Sequence, residues 1–357
     1  MKTFKGGTAV ITGAGSGFGL ETSRLAAQRG MNVVMADVQQ DALDRAAADV
    51  RALGADVLPY RLDVAHAAEV EALGAATKAR FGAPNIVFNN AGVGAGGLIW
   101  ENTLKDWEWV LGVNLMGVVH GVRVFTPMML EAARKDPAWQ GHIVNTASMA
   151  GLVNMPNMGV YNVSKHAVVS LSETLYQDLH LVTDQIGASV LCPFFVPTGI
   201  SHSDRNRPQT LRDDRPPTRS QLIGRAMSET LYQDLQLVTE QIGASVLCPF
   251  FVPTGITESQ RNRPDALAAA KPTPSQLIGK AMNDRAVGSG KVSAADVARF
   301  VFDAIGEKRF YIYSHPKALG SVQTRLEDIM QARNPTDPFA GKPEIGAELR
   351  AALRAAR

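Results

Sequence analysis

The stretch "TGAGSGFG", Thr12 to Gly19, joins the short apolar run "TAVI" to "LETSRLAAQRG", a segment with helical spacing. A strand, a glycine-rich turn and a helix therefore follow one another at the start of the chain. A tight turn at Gly13 lets backbone approach a pyrophosphate, and the helix N-terminus supplies N–H donors and a favourable dipole. The stretch predicts a dinucleotide-binding unit, with contacts from Gly13, Ser16, Gly17, Phe18 and Gly19.

Five further apolar runs have the character of strands: "MNVVMAD", "DVLPYRLDV", "NIVFNNAG", "GHIVNTAS" and "ASVLCP". Ala-, Leu- and charge-rich segments of helical pattern lie between them. Strands that are apolar throughout, each followed by a helix, predict a parallel sheet covered on both faces. The expected fold class is α/β, a doubly wound parallel sheet of the Rossmann type flanked by helices on both faces.

Asp37 ends the second apolar run, "NVVMAD", about 20 residues beyond the glycine turn. A carboxylate at this place accepts hydrogen bonds from the adenosine ribose and repels a 2′-phosphate. The residue therefore favours NAD over NADP, and "ADVQQD" offers no basic group for a 2′-phosphate. An exposed Asp that caps the next helix is the alternative.

The segment "YNVSK" places Tyr161 and Lys165 four positions apart, on one face of a predicted helix. A nearby ammonium favours the phenolate, so we expect a lowered pKa for Tyr161. A tyrosine hydroxyl can then exchange a proton with a substrate oxygen during hydride transfer. Ser148, at the end of a predicted strand, can hydrogen-bond the same oxygen. The alternatives are a surface Tyr–Lys pair and a serine that caps a helix.

Five motifs occur in an order that resembles the short-chain dehydrogenase/reductase family: "TGAGSGFG", "NNAG", "GVNLMG", "NTASMAG" and "YNVSK". The 13 positions between Ser148 and Tyr161 also fit that family, and the resemblance runs through residues 5–200. It implies an NAD(P)-dependent oxidoreductase that interconverts a secondary alcohol and a ketone. The catalytic residues it implies are Asn114, Ser148, Tyr161 and Lys165.

The resemblance also implies roles around the cofactor. Asn114 would support a water-linked proton route from Lys165, and Lys165 would contact the nicotinamide ribose. Asp63 would contact the adenine, although a turn-forming Asp is a rival interpretation. The full set of further cofactor-binding residues is Asp63, Val64, Asn90, Ala91, Gly92, Tyr161, Lys165, Pro193, Val196 and Thr198.

The substrate is less visible in the sequence. Trp100, Val153, Met155 and the "PFF" segment, Pro193 to Phe195, could line an apolar pocket beside the nicotinamide. This favours an apolar alcohol or ketone over a sugar. The same residue types occur at least as often in a core.

One piece of the chain occurs twice. The 29 residues from Ser172 to Ile200 return from Ser228 to Ile256 with two changes, and the similarity extends over residues 172–227 and 228–282. The changed positions are His180, which becomes Gln236, and Asp184, which becomes Glu240. In the frame of the second copy, Pro217 and Gln221 stand where Tyr161 and Lys165 would be. One active site per chain is therefore expected.

We expect the first copy to form the sixth strand, because it is continuous with the predicted catalytic helix. The second copy would then extend or cover the sheet before "RFYIYSH". One alternative is that the second copy is swapped into another subunit. The other is that the duplication has no function or is an assembly artefact. If the second copy were native-like, Pro249, Val252 and Thr254 would replace the assigned turn residues. The predicted organisation is one domain over 1–315, with the duplicated helix–strand–loop unit inside it, and a helical tail over 316–357.

Composition and charge argue against nucleic acid and membranes as partners. The chain is 45% apolar and its net charge is +2, without a broad basic field for nucleic acid or an anionic membrane. Cys192 and Cys248 are the same position in the two copies, so no metal or disulfide spacing follows. No leader and no window near a membrane-spanning length is apparent. We expect a cytoplasmic homo-oligomer acting on a small molecule; the alternatives are an NADP-dependent ketoreductase and a dinucleotide-binding regulatory or assembly protein whose substrate cleft the insertion blocks.

Overall fold

The carboxyl ends of parallel strands meet along one edge of a single sheet. The computed structural model describes residues 4–193, 199–212, 292–307, 309, 311–313 and 319–331, with 336, 340, 343 and 347 as isolated positions. Within them the strands are β1 (Thr8–Thr12), β2 (Asn32–Asp37), β3 (Val57–Arg61), β4 (Ile86–Asn89), β5 (Gly141–Thr146), β6 (Ile186–Cys192) and β7 (Tyr311–Tyr313). They pair in parallel in the order β3-β2-β1-β4-β5-β6-β7. The predicted doubly wound parallel sheet is confirmed.

Helices cover both faces of this sheet. They are α1 (Gly17–Gln28), α2 (Gln40–Ala52), α3 (Ala67–Phe81), α4 (Leu104–Leu111), α5 (Gly117–Lys135), α6 (Gly159–Val182), α7 (Ala294–Glu307) and α8 (Leu319–Met330). A π-helical turn, Gly112–Met116, joins α4 to α5. Short 3₁₀ turns lie at Met149–Gly151, Gly199–Asn206 and Gln209–Leu211.

The core forms a layer on each side of the sheet. Phe18 of α1, Leu43 of α2 and Phe302 of α7 pack on one face. Phe125 of α5 and Leu179 of α6 pack on the other. Every residue of β1, β4 and β5 is buried, because both faces of the central strands meet helices. This explains why these strands are apolar throughout rather than alternating.

The sixth strand comes from the first copy of the repeat, as expected. β6 pairs with β5 from Gly141↔Ile186 to Thr146↔Leu191 and with β7 at Val190↔Tyr311. The second copy, 228–282, lies outside the described residues. Of the predicted tail, α8 is described, and the boundary at 315/316 stays a prediction.

One helical stretch departs from the sequence-based expectation about membrane spans. Leu104–Lys135 has 32 residues and contains an 18-residue window with a mean hydropathy of 1.3, so by length and composition it could cross a membrane. A buried helix of a soluble domain passes the same test. Here α5 contacts α3 and strands β4, β5 and β6, and its residues Phe125, Met129 and Ala133 belong to the core.

A close approach of α5 to the sheet, at Gly121, generates a stability prediction. A Cβ on Gly121 would lie 2.0 Å from Oδ1 of Asn89, and Asn89 cannot easily move because its Nδ2 donates to Oδ1 of Asn145 at 2.9 Å in the core. Gly121→Ala should therefore lower the free energy of unfolding by about 1–3 kcal/mol, measured by urea denaturation.

The matched control is Gly306→Ala in α7, where a Cβ would meet nothing within 4 Å. That variant should be as stable as the parent or more stable by up to about 1 kcal/mol. A Gly121→Ala protein at least as stable as the parent would contradict this packing.

Candidate active site

The glycine turn between β1 and α1 is shaped by two close backbone contacts. Gly13 has φ +66°, a conformation that glycine adopts without strain. A Cβ on Gly19 would lie 2.1 Å from the carbonyl oxygen of Gly13. Both positions therefore require glycine, and the turn keeps its backbone open to a ligand.

The N-terminus of α1 follows this turn directly. Its N-cap residue Ser16 makes no capping hydrogen bond through its side chain, and the first turn carries no acidic residue. The first N–H groups, including those of Gly17 and Phe18, thus remain available to an anion. The side chain of Phe18 belongs to the core, so Phe18 could offer a ligand its backbone only.

Asp37 lies beside the glycine turn. Its Oδ2 accepts from the N–H of Gly15 at 2.9 Å, and its Oδ1 accepts from the N–H of Gln39 at 2.9 Å. Burial raises the pKa of Asp37, while these hydrogen bonds and the charge of Arg205 oppose the rise. Gln39 rather than Asp37 is the N-cap of α2. The half-buried carboxylate therefore braces the turn instead of capping the next helix.

The "NNAG" motif ties three strand ends together. Nδ2 of Asn90 donates to the carbonyl of Thr12 at 3.0 Å, and the N–H of Ala91 donates to Oγ1 of Thr12 at 3.1 Å. Oγ1 of Thr146 donates to Oδ1 of Asn90 at 3.3 Å. A Cβ on Gly92 would lie 3.6 Å from Nζ of Lys165. The motif holds β1, β4 and β5 in place next to the catalytic candidates.

Asn114 lies in the π-helical turn between α4 and α5 and is fully buried. Its Oδ1 accepts from the N–H of Val93 at 2.8 Å. Its Nδ2 donates to the carbonyl of Val93 at 2.9 Å and to Oγ of Ser164 at 3.1 Å. π-Helical turns are frequent at functional sites. Asn114 thus connects the loop after β4 to the helix that carries Tyr161 and Lys165.

The predicted catalytic side chains converge at the end of β5. Ser148 follows β5 and forms a side-chain hydrogen bond with Tyr161. Lys165 is only 2% exposed, and its Nζ donates to the carbonyl of Thr146 at 2.8 Å. Nζ lies 5.6 Å from the centroid of the Tyr161 ring. Because Lys165 is buried, the alternative of a surface Tyr–Lys pair does not describe this cluster. Ser148 does accept from the N–H of Ala150 at 3.1 Å, as a capping serine would, in addition to its contact with Tyr161.

With this geometry in place, comparison with known proteins identifies the family. The family model for short chain dehydrogenases matches residues 7–209. The chain belongs to the short-chain dehydrogenase/reductase family. It is therefore an oxidoreductase that acts on a small-molecule substrate.

Relatives and a solved structure show how far the similarity extends. The chain is 36% identical to the "CLA biosynthesis dehydrogenase/reductase" of Lactiplantibacillus plantarum over 217 residues, 61% of this chain and 74% of that protein. It is 38% identical to 1-deoxy-11-beta-hydroxypentalenate dehydrogenase of Streptomyces avermitilis over 193 residues, 54% of this chain and 69% of that protein. A short-chain dehydrogenase/reductase from Burkholderia phymatum, solved in complex with NAD, is 45% identical with a TM-score of 0.74 and covers 95% of this chain and 100% of its own.

The expectation of a lowered pKa for Tyr161 in this short-chain dehydrogenase is wrong for the protein alone. Burial raises the pKa of Tyr161 to about 12, opposed by the hydrogen bond with Ser148. Burial also lowers the pKa of Lys165 to about 8, opposed by its interaction with Cys192. The hydroxyl of Tyr161 is enclosed even though the residue as a whole is half-buried. Desolvation disfavours both charged forms, and at 5.6 Å from the ring the ammonium does not overcome it.

Asp63 makes the contacts of the turn-forming alternative. Its Oδ1 accepts from the N–H of Ala65 at 2.9 Å, and its own N–H donates to Oε2 of Glu69 at 2.8 Å. Val64 is buried, and its carbonyl is hydrogen-bonded to Nδ1 of His120 at 3.0 Å. Contacts of Asp63 and Val64 with the adenine stay predictions.

The residues expected to line a substrate pocket differ in their exposure to solvent. Trp100 is 70% exposed, whereas Val153 is buried. Met155 is half-buried, and its carbonyl accepts from Nδ2 of Asn162 at 2.8 Å. A substrate pocket lined by Trp100, Val153 and Met155 stays a prediction.

Of the residues assigned after β6, Pro193 is described. Its carbonyl accepts from Oγ of Ser148 at 3.3 Å and from the N–H of Met149 at 2.9 Å. The other assigned positions, Phe194, Phe195, Val196, Thr198, Pro249, Val252 and Thr254, lie outside the described residues. The turn after β6 thus begins beside the predicted catalytic serine.

Sequence reasoning missed the ion pair that anchors the segment 199–212. Nη1 of Arg207 lies 2.6 Å from Oδ1 of Asp106, and both side chains are buried. The Arg207 guanidinium also lies 5.1 Å from the Trp109 ring centroid. The "RNRP" motif occurs in both copies, which drew attention to Arg207. Nothing in the sequence indicated that Asp106 is the partner of this arginine.

The low pKa of Lys165 generates a pH-dependent stability prediction. The folded chain releases the Lys165 proton near pH 8, while the unfolded chain keeps it up to about pH 10.4. Between these values the unfolded state binds more protons, so the free energy of unfolding rises with pH. This one group should contribute a rise of about 2–3 kcal/mol.

Lys165→Met removes the titrating group. The stability of the parent relative to this variant, from urea denaturation at several pH values, should increase across that window. Lys78→Met, which removes an exposed lysine, is the control for a general effect of charge. A parent–variant difference that stays constant with pH would show that Lys165 does not titrate as described.

Proposed function

We propose that this short-chain dehydrogenase interconverts a secondary alcohol and a ketone, with NAD as the cofactor and Ser148, Tyr161 and Lys165 at the reacting centre. The observation that carries the proposal is the convergence of these three side chains at the carboxyl end of β5. The order of the sheet reverses between β1 and β4, and such switch points are where open α/β sheets bind ligands. The reacting groups and the glycine turn lie on that same edge.

The glycine turn and its surroundings fit a dinucleotide. Glycine at positions 13 and 19 leaves a cradle that a Cβ would fill, and the amides at the start of α1 are not used by a side-chain cap. These groups would hold the pyrophosphate, and Asp37 would hold the adenosine ribose. The NAD complex of the Burkholderia phymatum relative supports the choice of NAD.

When bound, the nicotinamide gives or takes the hydride, and in its oxidised form it carries a positive charge. Tyr161 exchanges the proton with the substrate oxygen. With a pKa of about 12, its hydroxyl is un-ionised at neutral pH and suits the donation of a proton to a ketone oxygen. A positive charge nearby would lower this pKa and suit Tyr161 as the base for the alcohol.

The neighbouring residues position the reaction. Ser148, already hydrogen-bonded to Tyr161, holds the substrate oxygen next to the phenol. Lys165, fixed on the Thr146 carbonyl, lies where it can contact the nicotinamide ribose. Asn114 connects this cluster to the loop after β4 and supports the route by which a proton reaches Lys165.

Substrate character and assembly are further parts of the proposal. Exposed apolar side chains around the loop before α4, Ile99 and Leu104, support an apolar alcohol or ketone. Val163 on α6 is also exposed, and a second copy of the chain would cover it. Location in the cytoplasm stays a prediction from the sequence.

Replacing Tyr161 tests the reaction directly. Tyr161→Phe removes the hydroxyl that exchanges the proton, so NADH oxidation with a panel of apolar ketones should fall by about 10³-fold or more. NADH binding, followed by nicotinamide fluorescence, should change by less than about threefold, because the ring remains.

Tyr176→Phe on the same helix is the matched control, since Tyr176 packs on His180 at 4.2 Å between ring centroids, away from Ser148. It should keep the parent rate. Activity retained in Tyr161→Phe would reject the proposed mechanism, and NADH binding without turnover of any ketone by the parent would favour a regulatory protein instead.

A further inference from the structure

The segment 199–212 spans from α4 to the end of β2. On the α4 side it is held by the buried Arg207–Asp106 pair, and Nζ of Lys105 donates to the carbonyl of Arg212 at 2.7 Å. On the β2 side, Nε of Arg205 donates to Oε1 of Gln39 at 3.3 Å. The segment therefore brings an arginine from 166 positions along the chain to the turn that follows β2.

Arg205 is next to the carboxylate that we assign to the adenosine ribose. Gln39, which accepts from Arg205, donates its own N–H to Oδ1 of Asp37. The charge of Arg205 helps to keep the pKa of Asp37 from rising further as a result of burial. The charges of Asp37 and Arg205 thus act on each other beside the turn that follows β2.

The presence of Arg205 beside Asp37 changes the charge that a 2′-phosphate would meet. An aspartate alone at the end of β2 repels a 2′-phosphate. An arginine beside it offers the planar, multiply donating group that suits phosphate oxygens. Arg205 reaches this place from beyond β6, so the sequence around Asp37, "ADVQQD", does not reveal it.

We propose that Arg205 is a second determinant of cofactor choice, a latent 2′-phosphate contact that Asp37 masks. The proposal rests on the proposed function, since it places the adenosine ribose at Asp37. In the parent protein the carboxylate offsets the guanidinium, and NAD is preferred. Without the Asp37 charge, the guanidinium of Arg205 attracts the additional phosphate of NADP more strongly than the opposing charge that remains on Asp41 repels it.

The test is a double-mutant comparison of NADH and NADPH binding by nicotinamide fluorescence. Asp37→Ser should tighten NADPH binding relative to NADH by about tenfold or more, as expected for one charge-assisted contact. Adding Arg205→Gln to Asp37→Ser should remove most of that gain. Arg24→Gln in the same background is the control, because Arg24 on α1 pairs with Asp49 at 2.7 Å; it should leave the gain intact.

The outcomes separate this proposal from the proposed function. If the Asp37→Ser/Arg205→Gln protein binds NADPH as tightly as Asp37→Ser, or if Asp37→Ser gains nothing, Arg205 is not the determinant. If the parent binds neither NADH nor NADPH, the proposed function itself fails. Should Asp37→Ser not fold, Asp37→Asn supports the same comparison, because its amide oxygen can still accept from Gly15.

Discussion

The site depends on how three parallel strands end at one point. The strand order reverses between β1 and β4, and Asn90 bridges Thr12 at the end of β1 and Thr146 at the end of β5. The carbonyl oxygen of Thr146 in turn accepts a hydrogen bond from Nζ of Lys165. A single network of hydrogen bonds therefore connects the glycine turn to the proposed catalytic lysine, and a shift of one strand end would misplace both.

Burial, rather than charge attraction, dominates the protonation of Tyr161 and Lys165. The pKa of Tyr161 is raised to about 12 and that of Lys165 is lowered to about 8, and both shifts favour the neutral form of the side chain. Enclosure from water strengthens every electrostatic interaction within the cleft. The positive charge of an oxidised nicotinamide would therefore have a larger effect on the phenol than it would in water.

Much of the fold and the centre of the site followed from local sequence. Continuous apolar runs predicted the parallel sheet, and the four-residue spacing of Tyr161 and Lys165 predicted their shared helix face. Features that depend on distant contacts did not follow. The pKa of Tyr161 depends on enclosure by the whole fold, and the Asp106–Arg207 pair and the approach of Arg205 to Gln39 join segments more than 100 positions apart. For Asp63, a turn and an adenine contact look alike in sequence, and the structure shows the hydrogen bonds of the turn.

The most direct test of the account is a crystal structure of the protein with NADH bound. We expect the pyrophosphate at the N-terminus of α1 and the nicotinamide between Tyr161 and the first-copy turn that begins at Pro193. A nicotinamide bound away from Tyr161, or a pyrophosphate that does not touch the glycine turn, would contradict the central claim.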